Sequence, residues 1–328
     1  MLMNYHLDPN YLNDSQVRTE KIRDGLGTGV AELGADHDDV VVLGADTMGS
    51  ARAKFFAEKF PARTVQVGVA EQNLIGVTAG FAYYGKVPYA FTYAPFLIGR
   101  PWEPIRTTLC YPNNHAVLVS SHAGLATGED GPTHQMTEDI ALTACLPNMT
   151  VIAPCDYEQA RKAARASYGM KGPVYLRGAR EGTPVVTTED TPFEIGTAQV
   201  FREGSDVTAI AHGYMVHRLL AVAEELKHEV NIEVINVHTI KPFDVDTLVQ
   251  SVKKTGRLFV AEDHSVYGGL GTAAVQALAG ACAAVPARIH GIYDTFAESG
   301  SVEDLWKEYK LDVPGTREIL QEFLKEKC

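Results

Sequence analysis

What this sequence lacks narrows the field first. Its five cysteines, Cys110, Cys145, Cys155, Cys282 and Cys328, lie far apart and include no Cys-x-x-Cys pair. That excludes the usual zinc ribbons and thiol redox centres and leaves reduced core or surface thiols. No charge-free apolar run approaches the roughly 20 residues needed to span a bilayer. The opening Met1-Leu-Met-Asn-Tyr-His-Leu-Asp has neither the basic nor the apolar region of a secretory signal. A cytoplasmic protein with no membrane partner is the expectation. Positive charge is scarce as well: 29 lysines and arginines stand against 41 aspartates and glutamates, a net charge of -12. Nowhere do cations cluster densely enough to displace phosphate counterions, so no nucleic-acid partner is expected.

What is present reads as two α/β units. A chain of 328 residues, 45% hydrophobic, has material for two packed cores at roughly 150 residues per domain. Short apolar runs near Val40–Leu43, Thr64–Val67, Val87–Thr92, Ala116–Ser121, Thr150–Ala153 and Val174–Arg177 alternate with longer helical stretches, the pattern of buried parallel strands joined by crossovers. Residues 1–13 carry no pattern and are expected as an extended arm. A helix follows over Ser15–Leu33, stopped at Gly34; Gly25, Gly27 and Gly29 would each cost it up to about 1 kcal/mol against alanine. Asp156 with Gln159 makes a capping-box signature. Turn formers and charges without a period fill residues 178–196, which sets the domains at 1–188 and 189–328. Beyond lie strands near Val207–Ala211, Ile232–Val237, Leu258–Ala261 and Arg288–Ile292, helices over Met215–Lys227 and Val245–Lys254, and a closing amphipathic helix at Thr316–Lys327. The expected fold class is α/β, two consecutive doubly wound domains with mainly parallel sheets. Gly268-Gly-Leu-Gly-Thr272 mimics a dinucleotide turn but starts several residues past its strand and lacks an acidic residue about 20 positions on. It reads as close packing at a helix start.

One stretch stands apart. His122-Ala-Gly-Leu-Ala-Thr-Gly-Glu-Asp-Gly-Pro-Thr-His134 follows the buried run Ala116–Ser121 and precedes a helix-like segment from Gln135 to Cys145. In parallel sheets ligands gather outside the carboxyl ends of the strands, where such a loop would hang. Its glycines and proline allow tight turns, and its histidines, Glu129, Asp130 and Thr133 supply donors, acceptors and titratable groups. A solvated turn and a ligand loop would share this composition.

His122 to His134, with Gly128-Glu-Asp-Gly-Pro-Thr-His-Gln135 at its end, resembles the substrate loop of thiamine-diphosphate-dependent transketolases. Gly68-Val-Ala-Glu71-Gln-Asn-Leu-Ile-Gly76 resembles the segment whose glutamate activates the cofactor in that family. Ala45-Asp-Thr-Met-Gly-Ser50 and Tyr93-Ala-Pro-Phe96 match in the same order and approximate spacing, and weaker similarity extends to about Gly271. The eight-residue acidic motif is specific; each other match alone is weak.

The resemblance implies a pyrimidine-binding domain followed by a transketolase C-terminal domain, moving a two-carbon ketol unit between sugar phosphates as in pentose phosphate metabolism. It implies that Glu71 hydrogen-bonds the pyrimidine nitrogen of thiamine diphosphate, that Asp46, Tyr93 and Phe96 lie by the cofactor, and that His122 and His134 serve catalysis. Arg23, Ser50, His122, Asp130 and Arg177 would hold the sugar phosphate, Arg177 ahead of Arg23 because it sits at a strand end. This chain departs from the family in Gln72, where histidine is frequent, and in Tyr93, where phenylalanine is commoner. It also has no Gly-Asp-Gly, the family's diphosphate and metal signature. The implied partner is therefore an N-terminal transketolase subunit that holds Mg²⁺ (or Ca²⁺) and the diphosphate, in a heterotetramer or larger assembly, with no metal ligand on this chain. Alternatives are a 2-oxoacid dehydrogenase beta subunit, a deoxyxylulose-phosphate-synthase-like enzyme, or a non-catalytic α/β partner subunit.

Overall fold

In the computed structural model, which describes residues 6–13 and 15–326, the apolar runs become strands. The first half supplies β1 (Thr19–Lys21), β2 (Val40–Gly44), β3 (Thr64–Gln66), β4 (Val87–Tyr93), β5 (Val117–Ser121), β6 (Thr150–Ile152), β7 (Val174–Leu176) and β8 (Gly182–Pro184). The second supplies β9 (Gln199–Arg202), β10 (Val207–Ala211), β11 (Ile232–Asn236), β12 (Thr239–Lys241), β13 (Leu258–Ser265) and β14 (Ala287–Ile292). One sheet has the order β12-β6-β7-β5-β4-β2-β3, another β14-β13-β10-β11-β9, and β1 pairs with β8. All pairings within the two large sheets are parallel except those of the edge strands β12 and β9. The α/β class with mainly parallel sheets is as the sequence predicts.

The strands lack polar alternation because both faces are covered. Val40 and Val42 pack toward the helices Ile22–Asp36 and Tyr157–Ser167, whereas Val41 and Leu43 pack toward Leu74, Ile75 and Ala79 of the helix Glu71–Tyr83. The helix glycines explain themselves at the first of these contacts. A Cβ on Gly25 would come within 2.2 Å of the Tyr157 carbonyl oxygen, and one on Gly29 within 2.4 Å of that of Arg161. Their propensity cost is offset by two helices crossing almost backbone to backbone. Asp156 caps the Tyr157–Ser167 helix through Gln159 N–H at 2.9 Å. Its other oxygen accepts from the Val186 and Thr187 amides, so one carboxylate also fixes the crossing to the second domain.

Several expectations need correction. The first helix starts at Ile22, after β1, and runs past Gly34 to Asp36; Gly34 is there for the rings of Phe56 and Phe60, which a Cβ would meet at 2.4 and 2.6 Å. Residues 6–13 form turns, not an extended arm: Asp8 N–H donates to Val186 O, and Leu7, Tyr11 and Leu12 pack on the core; residues 1–5 lie outside the described chain. The segment after the polar loop is helical only over Asp139–Ala144, and the closing helix spans Val313–Lys325, capped by Asp312. Tyr83 and Tyr84 are exposed, whereas Tyr89 and Phe91 are buried. β12 belongs to the second half in sequence but pairs with β6 of the first sheet, tying the two units together. The turn at Gly268–Thr272 is a helix start as expected: Glu262, pushed by burial up to about 7, accepts from the Leu270 and Gly271 amides at 2.7 and 3.0 Å. A Cβ on Gly269 would strike that carboxylate at 2.0 Å.

Candidate functional site

The parallel strands of the first sheet point their carboxyl ends to one edge. Tyr93 is the last residue of β4, His122 follows β5, Asp46 and Ser50 follow β2, and Glu71 opens the helix after β3. Past Tyr93 the chain winds into a π-helical turn, Pro95–Gly99, which presents Phe96. Tyr93 and Phe96 stack at 5.6 Å between centroids; His122 lies 3.8 Å from the Tyr93 ring, and His134 meets Phe96 edge-on at 5.2 Å. Four sequence-predicted residues thus form one aromatic wall.

Glu71 is 5% exposed. Its Oε1 accepts from Arg100 Nη1 at 2.7 Å, and the half-exposed Arg100 guanidinium lies over the Phe96 ring at 4.1 Å. A helix N-terminus favours a carboxylate, and the arginine supplies the counter-charge that a buried carboxylate requires.

His122 is buried and held at φ +62°, a backbone conformation that costs a non-glycine residue of order 1 kcal/mol or more. Ser121 Oγ lies 2.8 Å from its Nδ1. Burial first, then the charges of Arg23 and Arg180, push its pKa down to about 3. The ring is therefore neutral near pH 7, and a Ser121 hydroxyl that donates to Nδ1 would leave the ring proton on Nε2.

Ser50 links two of the candidates, accepting from the Tyr93 hydroxyl at 2.7 Å and, through its carbonyl, from Arg23 Nη1 at 3.0 Å. Arg23 is buried, its Nε makes no hydrogen bond and lies 3.8 Å from Asp24, and burial and then Arg52 lower its pKa. Asp130 is exposed, with one oxygen 3.3 Å from Arg180 Nη1. His134 is half-buried, its Nδ1 beside the Thr133 hydroxyl at 2.9 Å. Asp46 sits exposed in a positive-φ turn whose amide donates to the Gln66 side chain; its carboxylate makes no hydrogen bond with the ring cluster.

Arg177 is turned inward in this structure. Its guanidinium is fully buried, with Nε donating to Asp139 at 2.8 Å and Nη2 to the Asp263 carbonyl at 2.8 Å; Tyr175 donates to the same Asp139 oxygen at 2.6 Å. Every strong partner is internal, so it is committed to the seam between the domains. Arg180, three residues on, faces the opening instead: Nη1 donates to the Thr127 carbonyl at 2.5 Å and reaches Asp130. It lines a cleft of about 220 Å³ with Thr127, Gly128 and Glu129. Arg180 and Arg100 were missed because neither sits in a motif. The available signal was a second arginine in the segment after a buried strand, where the more distant one clears the sheet.

Chemically, a buried carboxylate beside an aromatic wall suits a flat heterocycle with a basic nitrogen. Arg23 and Arg180, flanking a neutral donor histidine, suit an anionic polyol.

Comparison with known proteins agrees with this geometry. Residues 19–185 match the model of the transketolase pyrimidine binding domain, and residues 196–315 that of the transketolase C-terminal domain. A Methanocaldococcus jannaschii protein with the provisional name "transketolase C-terminal section" is 40% identical over 310 residues, covering 93% of this chain and 97% of the relative. The 6-deoxy-6-sulfo-D-fructose transketolase subunit SqwH of a Clostridium species, strain MSTE9, is 38% identical over 291 residues, 88% of this chain and 90% of that one. A solved structure described as a split gene transketolase, inactive beta4 tetramer, superposes with a TM-score of 0.86 at 38% identity, covering 93% of this chain and 98% of that one. In some longer transketolase relatives the chain spans only 41 to 49% of the length.

Proposed function

The chain belongs to the transketolase family, and from that premise we propose that it is the carboxyl-terminal subunit of a split transketolase. Such an enzyme transfers a two-carbon ketol unit from a ketose phosphate to an aldose phosphate. The observation that carries the reading is the buried Glu71 at a helix start beside the wall of Tyr93, Phe96, His122 and His134. When bound, thiamine diphosphate supplies a thiazolium nucleophile and electron sink.

This chain's residues grip, orient and hold protons. Glu71 holds a proton at a carboxyl oxygen against the pyrimidine nitrogen, which requires Arg100 to release Oε1. Tyr93 and Phe96 cover the ring and exclude water. His122 donates from Nε2 to a sugar oxygen, His134 works from the opposite end of the loop, and the exposed Asp130 accepts a sugar hydroxyl. Arg23, aligned by Ser50, and Arg180 in place of Arg177 pair with the phosphate; planar guanidinium groups suit such bidentate contacts. Asp46 contributes from the loop after β2. The diphosphate and its Mg²⁺ (or Ca²⁺) fall to an N-terminal subunit carrying Gly-Asp-Gly, two copies of each chain being the minimal assembly. The coverage pattern supports this division: nearly all of each subunit-sized relative and about half of longer ones. We place the activity in cytoplasmic pentose phosphate metabolism; no helix among the described residues is long and apolar enough to cross a membrane.

Reconstitution tests the proposal. The chain alone should show no ketol transfer, and the same chain mixed with an N-terminal subunit, thiamine diphosphate and Mg²⁺ should. Robust turnover by the chain alone would overturn the split reading.

A further inference from the structure

The polar loop between His122 and His134 is anchored at three successive amides. Ala123 N–H donates to the Gly178 carbonyl at 3.1 Å and Gly124 N–H to the Met136 carbonyl at 2.7 Å, both within the first domain. The third, Leu125 N–H, donates at 2.9 Å to Oδ1 of Asp263, a residue of β13 in the second domain. Asp263 is 1% exposed, its carbonyl is held by Arg177, and the Tyr214 hydroxyl also bears on its carboxylate, whose Oδ2 makes no hydrogen bond of good geometry. That oxygen faces Gly124, where an added Cβ would lie 1.8 Å away. The second domain leans on the loop further along as well. Gln135 Nε2 donates to the Glu298 carbonyl at 3.0 Å, and Cβ atoms on Gly128 and Gly131 would meet Val302 at 2.9 Å and Ser299 Oγ at 2.3 Å.

We propose that Asp263 is a positioning residue: from the second domain it fixes the backbone of the substrate loop through Leu125 and so keeps His122 in its strained orientation against Tyr93. It touches neither sugar nor cofactor. The fit is built from both sides, a glycine at φ +70° that leaves room for the carboxylate and a buried carboxylate with one oxygen turned to the next amide. Without that acceptor Leu125 N–H is orphaned in a buried place, which favours a backbone rearrangement that releases His122 from its positive φ.

Hydrogen exchange on the full chain, without partner or cofactor, tests this directly. Asp263→Ala should speed exchange of a peptide spanning 122–131 by about tenfold or more and leave peptides of β4 and β10 unchanged, since local opening exposes only the loop. Asp263→Asn, which keeps an acceptor at Oδ1, should restore exchange to within about threefold of the native rate. Gly124→Ala, which drives a methyl onto the carboxylate, should loosen the same peptide and serves as the second probe if Asp263→Ala does not fold. In the reconstituted enzyme, Asp263→Ala should raise KM for the ketose phosphate about tenfold, with kcat changed less than about threefold, as expected for lost substrate positioning. This kinetic arm rests on the substrate-loop reading; the exchange arm does not, so the two can fail separately. Unchanged loop exchange in both Asp263→Ala and Gly124→Ala, loosening spread over both sheets, or no rescue by Asp263→Asn would overturn the proposal.

Discussion

Arg177 and Arg180 lie three residues apart yet make opposite contacts, and exchanging each for methionine separates the duties proposed for them. Arg177→Met would strand the Asp139 carboxylate, itself fully buried, with Tyr175 as its remaining strong partner. Breaking a buried pair from one side costs roughly 3–5 kcal/mol. At roughly 2–4 °C per kcal/mol for a unit of this size, Tm should fall by roughly 6–20 °C. Arg180→Met removes a partly exposed cation, whose loss destabilises the fold by no more than about 1 kcal/mol. Its charge-assisted bonds to a sugar phosphate would be worth roughly 1.5–3 kcal/mol, so KM for the ketose phosphate should rise about 10- to 150-fold. Thermal unfolding of the chain and initial-rate kinetics of the reconstituted enzyme read the two effects apart. An unchanged Tm with a raised KM in Arg177→Met, together with an unchanged KM in Arg180→Met, would refute the assignment and restore Arg177 to the site.

Other outcomes follow from the same geometry. Glu71→Gln should abolish ketol transfer in the assembled enzyme while leaving the Tm of the chain within a few degrees; an unchanged rate would favour a non-catalytic role. Arg100→Ala should leave the substrate KM unchanged while altering the binding of thiamine diphosphate to the assembled enzyme, measured by titration; no change would mean that Arg100 does not gate Glu71. Stability should fall in mild acid. Burial lowers His122 and His238 to about 3 and His264 to about 4, so the unfolded chain binds their protons first. Each then forfeits about 2 kcal/mol between pH 6.5 and pH 5. Glu262, raised to about 7 by burial, works the other way and returns somewhat under about 3 kcal/mol as pH falls from 7 to 5. These four groups together lose about 3 kcal/mol, and the buried His212 and His290, also lowered, act in the same direction. The urea midpoint should be lower at pH 5 than at pH 7, and an equal or higher midpoint would contradict the burial of these histidines.

Much of the architecture was legible in the sequence because it rests on local pattern. The β2 run is apolar and the β5 run free of charge, the Asp156 cap has its own signature, and the loop from His122 to His134 follows a buried strand. What escaped was set by distant contacts. Gly34 reads as a helix stop unless the rings of Phe56 and Phe60 are known to press on it. β12 looks like a continuation of the second domain until it pairs with β6. Arg177 and Arg180 could not be ranked by sequence, because a strand end delivers its side chain to the core seam or to the opening according to a register that only the sheet reveals. The aromatic wall was better placed, since the spacing of Tyr93 and Phe96 after a strand carries them to the sheet edge directly.

The charge distribution of the candidate site differs between its two ends. At the heterocycle end the chain settles its own account: the buried Glu71 carboxylate finds Arg100, which stays half-exposed and stacked on Phe96, so the pair can open without exposing a core. At the substrate end the pairing is looser: Arg23 Nε makes no hydrogen bond and lies 3.8 Å from Asp24. Arg52 also holds Asp24, Arg180 reaches Asp130 and Glu181, and all three arginines bear on His122. The fold holds these groups from two domains, with β5 and β7 supplying the strand ends and Asp263 the hold on the loop. An anion entering between Arg23 and Arg180 would lessen the repulsion that helps keep His122 neutral. On the proposed reading, substrate binding would therefore raise the proton affinity of His122.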